Sequence, residues 1–266
     1  MKNQFKETYN STLKEAEVFL DLIIYRPMAF PFILIARKLK LSPNFITTIS
    51  LVLTIFSAYF FAAGRNMYAA VFLFLATLFD CMDGQLARLT GQFSKNGAKY
   101  DQFADIAGTI TIFAGIIYNQ YNGDNTIFIL AALSLLLSGI DITFFDNLRD
   151  RFLNQLHPER EKPVPSGMFG IYTRIIEKLS PLPALSKNSY PIEKEKYKKF
   201  FLRSVYNWSF IAGTAHRNTL IFLALINKIE LIWIICILYF LIPLAVLIIY
   251  QYIIRVIYIK SLSKTK

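Results

Sequence analysis

Two cysteines, two histidines and two tryptophans in 266 residues leave little material for several common kinds of site. Cys81 and Cys236 lie far apart in separate apolar runs, which gives neither a zinc-ligand spacing nor a disulfide framework. No internal repeat recurs at a fixed period. The first 16 residues are polar and charged, and no short apolar core with a small-residue cleavage site follows them, so no secretory leader is expected and insertion through the chain's own helices is. Acids are scarce too, 18 Asp and Glu against 29 Lys and Arg, and the places where the few acids gather therefore carry information.

What the chain does have is apolar length. A 55% hydrophobic content, 24 Phe and a mean hydropathy of +0.41 are too high for an ordinary soluble domain. Six apolar segments, about 44–63, 67–87, 99–119, 126–146, 205–226 and 231–254, each approach the roughly 20 residues that a membrane helix needs. The expected fold is an all-α integral membrane protein of six transmembrane helices. Ahead of them, "VFLDLIIYRPMAFPFILIARKLK" is broken by Arg26, Pro27 and Pro31, and reads as an N-terminal interfacial amphipathic helix segment lying on the membrane.

Basic residues fall on one side. Seven Lys and Arg precede residue 43, three lie between 88 and 99, twelve between 149 and 203 and four from 255 onward, against only Arg65 and Lys228 on the other face. The positive-inside rule then puts both termini in the cytoplasm, agrees with an even number of spans and suits a cell (inner) membrane. The basic excess is topogenic and lipid-directed, so no nucleic-acid partner is expected.

The organisation expected is a cytoplasmic and interfacial segment over 1–42, a six-helix transmembrane domain over 43–260 and a tail over 261–266. The cytoplasmic loop 148–203, with "HPEREKPVPSG", "LSPLPALSKNSYP" and "EKEKYKK" around an amphipathic "MFGIYTRIIEKL", is too short and Pro-rich to bury much of a core of its own.

The acids gather in "LFDCMDGQLARLTGQFSKNGAKYDQFADIAG", residues 78–108. Residues three, four and seven apart share a helix face. Asp80, Asp83, Gly84 and Ala87 thus line one stripe at the end of the second span, and Gly97, Asp101 and Asp105 another at the start of the third. A tight reversal sets the stripes face to face on the cytoplasmic side, which places the active site there. Each carboxylate costs about 2.5–3.5 kcal/mol to put into a bilayer, and convergence adds repulsion. Arg88 supplies one compensating charge, whereas two divalent cations would supply four. Oxygen-only ligands point to Mg²⁺ or Mn²⁺, and two such ions between carboxylate-bearing helices suit displacement at phosphorus. Gly84 and Gly97 admit two readings, room for a nucleotide ring or close packing of the helices.

"DCMDGQLARLTGQFSKNGAKYDQFAD" resembles the signature of the CDP-alcohol phosphatidyltransferase family, D-x2-D-G-x2-A-R-x8-G-x3-D-x3-D, at every fixed position and in both long gaps. The resemblance implies metal-dependent transfer of a phosphatidyl group from CDP-diacylglycerol to a small alcohol or alcohol phosphate, with release of CMP, as part of phospholipid biosynthesis. It implies that Asp80, Asp83, Asp101 and Asp105 hold the two ions, that Asp105 is also the general base, and that Gly84, Ala87, Arg88, Ser94 and Gly97 receive the nucleotide and its diphosphate. "PNFIT" at 43–47 is similar to a further cytidine-contacting segment, which adds Asn44 and Thr47. The reversed chemistry, phosphocholine or phosphoethanolamine passed from its CDP derivative to diacylglycerol, shares the signature.

In "WSFIAGTAHRNTL", His216 and Arg217 lie about nine to twelve residues inside the fifth segment, a depth of roughly 15 Å. Arg217 either grips a phosphate on the acceptor or neutralises an in-membrane acid such as Asp141. Asp141 and Asp146 either bind a cationic head group or cap the fourth helix. Ala104 and Gly108, four apart, permit close packing and a homodimer. Two other classes also use intramembrane acids. A membrane prenyltransferase would separate its acidic motifs, and a divalent-cation channel or carrier would explain the acids but leave Gly84, Ala87, Arg88 and the fixed spacing unexplained.

Overall fold

The computed structural model describes residues 2–11, 16–157, 167–185 and 191–263. The loop pieces "PEREKPVPS" and "SKNSY" and the last three residues of the expected tail lie outside them. Among the described residues the chain is helical throughout, with no strand.

Helix α1 spans Lys2–Ser11; a π turn, Asp21–Tyr25, leads straight into α2, Arg26–Lys38. Pro27 falls in the first turn of α2, where its missing N–H costs nothing, and the helix continues through Pro31. Tyr25, Ala29, Phe30, Ile33 and Ala36 bury one face of this segment against Leu78, Cys81, Met82 and Leu86. Met28, Phe32, Ile35 and Leu39 stay exposed on the other, an apolar face suited to lipid.

Helix α3 (Pro43–Ala62) lies between α4 (Asn66–Thr90) and α5 (Lys95–Gln120). Small side chains bring the three close. Ser50 and Ser57 donate to the Ala76 and Ala69 carbonyls of α4, each at 2.9 Å. A Cβ placed on Gly115 would stand 2.3 Å from the Ala58 carbonyl oxygen, so only glycine lets α5 approach α3 this closely. Gly108 likewise rests on Thr54 of α3.

The remaining helices are α6 (Thr126–Leu156), α7 (Gly167–Leu179), α8 (Pro191–Trp208), α9 (Gly213–Leu225) and α10 (Ile232–Ser263). Among the described residues, four stretches are long and apolar enough to cross a membrane: Pro43–Ala62, Asn66–Thr90, Thr126–Leu156 and Ile229–Leu262. Exposed Ile234, Leu241, Ile249 and Ile253 along α10 would be an unmanageable surface in water, and they fit a membrane protein.

Three sequence expectations change. The segment expected as one helix over 205–226 is divided: α8 ends at Trp208, a 3₁₀ turn covers Ser209–Ile211, and α9 starts at Gly213 after extended Ala212. Gly213 gives no support to a continuing helix, and the Ser209 hydroxyl accepts from the Phe19 backbone N–H at 3.0 Å. His216 and Arg217 consequently sit in the first turns of a shorter helix. Second, α6 runs past Asp141 and Asp146 to Leu156, so neither acid caps it; Asp146 instead pairs with Arg149 one turn on, at 2.9 Å. Third, the 148–203 region does share a core. Phe152, Ile176, Tyr197, Phe201, Val205, Trp208 and Tyr258 are buried together, because α6 and α10 extend beyond their apolar stretches and lend side chains that the loop lacks. Arg151 donates to the Ser180 carbonyl and hydroxyl, and Gln251 ties Ser204 to the Pro181 carbonyl.

Candidate active site

The acidic residues meet because the chain reverses sharply between α4 and α5. Gly91 ends α4 in the left-handed conformation (φ 71°), and the Ser94 hydroxyl caps α5 by accepting from the Gly97 N–H at 2.9 Å. Carboxylate oxygens of Asp80, Asp101 and Asp105 then lie within 4.8 Å of one another. Asp83 is not one of that trio. It is buried, and one of its oxygens accepts from the Thr47 hydroxyl at 2.6 Å.

Arg217 reaches this cluster from α9. Its Nη1 donates to Asp80 Oδ2 at 3.0 Å and its Nη2 to Asp105 Oδ1 at 2.5 Å, so one guanidinium spans carboxylates from two other helices. Of the two sequence readings of Arg217, its ion pairs are with the signature acids and not with Asp141, which is fully buried on α6.

On the flank of the cluster, Asn44, Ser94 and Gly97 come together. A Cβ on Gly97 would stand 2.9 Å from both Asn44 Oδ1 and Ser94 Oγ, so a side chain there would displace these two polar groups. Gly84 lies under the Arg88 guanidinium, 3.4 Å from where its Cβ would be. Ala87 is half-buried on the same helix. Beside the acids opens a cavity of about 650 Å³ whose walls include Asp80, Asp105, His216, Arg217, Asp146 and Arg149. It holds polar groups of both signs within an apolar frame, the usual make-up of a small-molecule site.

The trio fits a hard divalent cation. Its donors are carboxylate oxygens without nitrogen or sulfur, and they are close enough to share an ion. Arg217 pairs with two of the three acids, Asp80 and Asp105.

Sequence reasoning passed over the N-terminal segment, which the structure folds against the site. Glu17 and Arg26 are both buried and paired at 3.3 Å. Glu17 also reaches Arg88 at 3.7 Å, and Arg26 donates to the Cys81 carbonyl on α4. Tyr25 donates to Asn218 Oδ1 at 2.9 Å, beside Arg217. Burial pushes the Asp21 carboxyl above the usual range, next to Arg26 and Thr214. The available signal was Arg26 itself, a cation inside an apolar run, which had been read as an interruption.

Comparison with known proteins adds an independent line. The CDP-alcohol phosphatidyltransferase family model matches residues 40–173. An archaetidylinositol phosphate synthase of Pyrococcus horikoshii is 33% identical over 79 residues, 30% of this chain and 42% of that protein. A CDP-diacylglycerol–serine O-phosphatidyltransferase of Helicobacter pylori is 32% identical over 113 residues, 41% of this chain and 47% of that protein. The chain thus spans less than half the length of each of these curated relatives.

Proposed function

The chain belongs to the CDP-alcohol phosphatidyltransferase family, and on that footing we propose that it transfers a phosphatidyl group from CDP-diacylglycerol to a small polar alcohol or alcohol phosphate, releasing CMP. The observation that carries this reading is the convergence of Asp80, Asp101 and Asp105 beside a cavity that Arg217 and His216 also line.

Asp80, Asp83, Asp101 and Asp105 would hold two ions, Mg²⁺ or Mn²⁺. Bound there, such ions neutralise charge on the attacking and leaving oxygens of a displacement at phosphorus. Asn44, Thr47, Gly84, Ala87, Arg88, Ser94 and Gly97 form the donor side, with the Arg88 guanidinium over Gly84 meeting the diphosphate. Thr47 contributes by holding Asp83 in place rather than by touching the nucleotide alone.

The acceptor occupies the cavity between α5, α6 and α9. Its hydroxyl oxygen attacks the phosphorus that bears the diacylglycerol, the bond to the CMP phosphate breaks, and the hydroxyl proton passes to an oxygen of Asp105. Asp105 is the catalytic residue, half-exposed to the cavity. Arg217 holds the Asp105 carboxylate from one side and, with His216, presents donors to the acceptor.

We place the site on the cytoplasmic side of the membrane. In this arrangement α5 and the α8–α9 pair complete six crossings, α1 and α2 form the interfacial segment, residues 43–260 make the transferase domain with both termini in the cytoplasm, and two copies associate in the bilayer. The basic excess of the loops on that side supports the orientation.

The test is CMP release by the purified protein in detergent with Mg²⁺ or Mn²⁺. CDP-diacylglycerol is offered with glycerol 3-phosphate, inositol phosphate, inositol, serine and small amino alcohols in turn. Release with one acceptor supports the reading and names the product. Release only from CDP-choline or CDP-ethanolamine with diacylglycerol reverses the direction. Silence with every pair, together with Mg²⁺ flux in liposomes, overturns the enzyme reading.

A further inference from the structure

We propose that residues 17–26 act as a strap that sets the donor-side Arg88 and the acceptor-side Arg217 relative to each other, with Glu17 as the positioning residue for Arg88. The inference rests on the donor role of Arg88 given above. It concerns residues that precede position 40, where the family match begins.

One end of the strap is an ion network under α4. Glu17 stands between two guanidiniums, Oε2 to Arg26 Nη2 at 3.3 Å and Oε1 to Arg88 Nη2 at 3.7 Å. Glu17 and Arg26 are 5% and 7% exposed in their side chains, Arg88 14%. Arg26 is fixed in turn by donating to the Cys81 carbonyl, one residue from Asp80 and two from Asp83. The Arg88 side chain is long and flexible, and the Gly84 surface beneath it has no Cβ to stop it moving. A buried carboxylate at its far side restricts that freedom.

The other end is tied to the break before α9 and to α9 itself. The Phe19 N–H donates to Ser209 Oγ at 3.0 Å, Asp21 faces Thr214, and Tyr25 donates to Asn218 Oδ1 at 2.9 Å, one residue beyond Arg217. Within ten residues the strap therefore grips the helix carrying Arg88 and the helix carrying Arg217. A membrane helix pair held only by apolar packing can slide; directional hydrogen bonds and ion pairs at both ends fix the separation of the two cationic groups.

The experiment uses the full chain in detergent with Mg²⁺ and compares wild type with Glu17→Gln, Glu17→Asp and Tyr25→Phe, measuring KM for each substrate, kcat, CDP binding by calorimetry and the thermal midpoint. Glu17→Gln is expected to raise the donor KM and the CDP Kd about tenfold while leaving the acceptor KM within about twofold. Glu17→Asp, which keeps the charge, is expected to fall between. In an Arg88→Gln background, Glu17→Gln should add little, because it acts through Arg88. Tyr25→Phe should raise the acceptor KM and leave the donor KM alone. Active wild type with an unchanged donor KM in a folded Glu17→Gln overturns the proposal and leaves the transferase reading intact. So does a Glu17→Gln defect that follows the thermal midpoint and weakens both substrates alike. Wild type that binds CDP but releases no CMP shifts the test to the Kd values, and wild type that does neither overturns both.

Discussion

Arg217 Nη2 and Asp105 Oδ1 lie 2.5 Å apart although 112 positions separate them, and the same guanidinium holds Asp80 at 3.0 Å. The proposed base of the reaction is thus already gripped by a cation from the opposite wall of the cavity. That contact joins the signature helices to α9, and it frames the first two predictions.

Replacing Asp105 by Asn keeps size and hydrogen-bonding capacity but removes the proton acceptor. CMP release should fall at least a thousandfold, near the upper range for a positioned acid or base. Circular dichroism and the thermal midpoint should stay close to wild type. Wild-type turnover by Asp105→Asn would remove Asp105 from its proposed role.

Arg217→Ala leaves the mutually repelling Asp80 and Asp105 without the cation they share. In EDTA the variant should unfold several degrees below wild type, and Mn²⁺ should restore more of its midpoint than it adds to wild type, since divalent ions can replace the lost charge. Acceptor KM should rise more than donor KM. Equal midpoints in EDTA would show that Arg217 does not neutralise the cluster.

Metal removal tests the oxygen-donor argument directly. EDTA should abolish CMP release, and Mg²⁺ or Mn²⁺ should restore it, because the cluster offers only hard ligands. Full activity in EDTA would contradict the assignment of the carboxylates.

Thr47→Val is nearly isosteric and deletes the 2.6 Å hydrogen bond to the buried Asp83. An acceptor left without that partner should cost about 1–3 kcal/mol of stability. The donor KM should rise with it. A variant matching wild type in both would mean that Asp83 is held by other groups.

Gly115→Ala asks whether α3 and α5 need their close approach. The added Cβ would meet the Ala58 carbonyl oxygen at 2.3 Å, a backbone atom that cannot swing aside. Overpacking of this kind costs about 1–3 kcal/mol, so the midpoint should drop by several degrees, with activity falling in parallel as Asp101 and Asp105 shift on α5. An unchanged midpoint would show that α5 moves freely against α3.

Local physics made much of the molecule legible in the sequence. Apolar length announced the helices of residues 43–62, 66–90, 95–120 and 126–156 to within a few residues at their starts, since burial in lipid rewards uninterrupted apolar runs. The three-residue spacing of Asp80 and Asp83 and the four-residue spacing of Asp101 and Asp105 put each pair on one face, and the short connection between the helices implied a tight reversal. All of these depend on neighbours fewer than ten residues away along a helix or turn.

Contacts between distant segments were decided by the tertiary structure alone. That Arg217 pairs with Asp80 and Asp105 instead of Asp141, and that Asp83 turns to Thr47, depends on how α3, α4, α5 and α9 pack, which no periodicity encodes. The shared core of Phe152, Ile176, Tyr197 and Tyr258 arises because helices over-run their apolar stretches. The break at Ser209–Ala212 meets the segment from Glu17 to Arg26 through the Phe19 N–H bond to Ser209, a contact across 190 positions. Sequence fixes which side chains can bear charge and which face they share; the free energy of bringing a buried charge to its counter-charge is settled only where the folded chain places both.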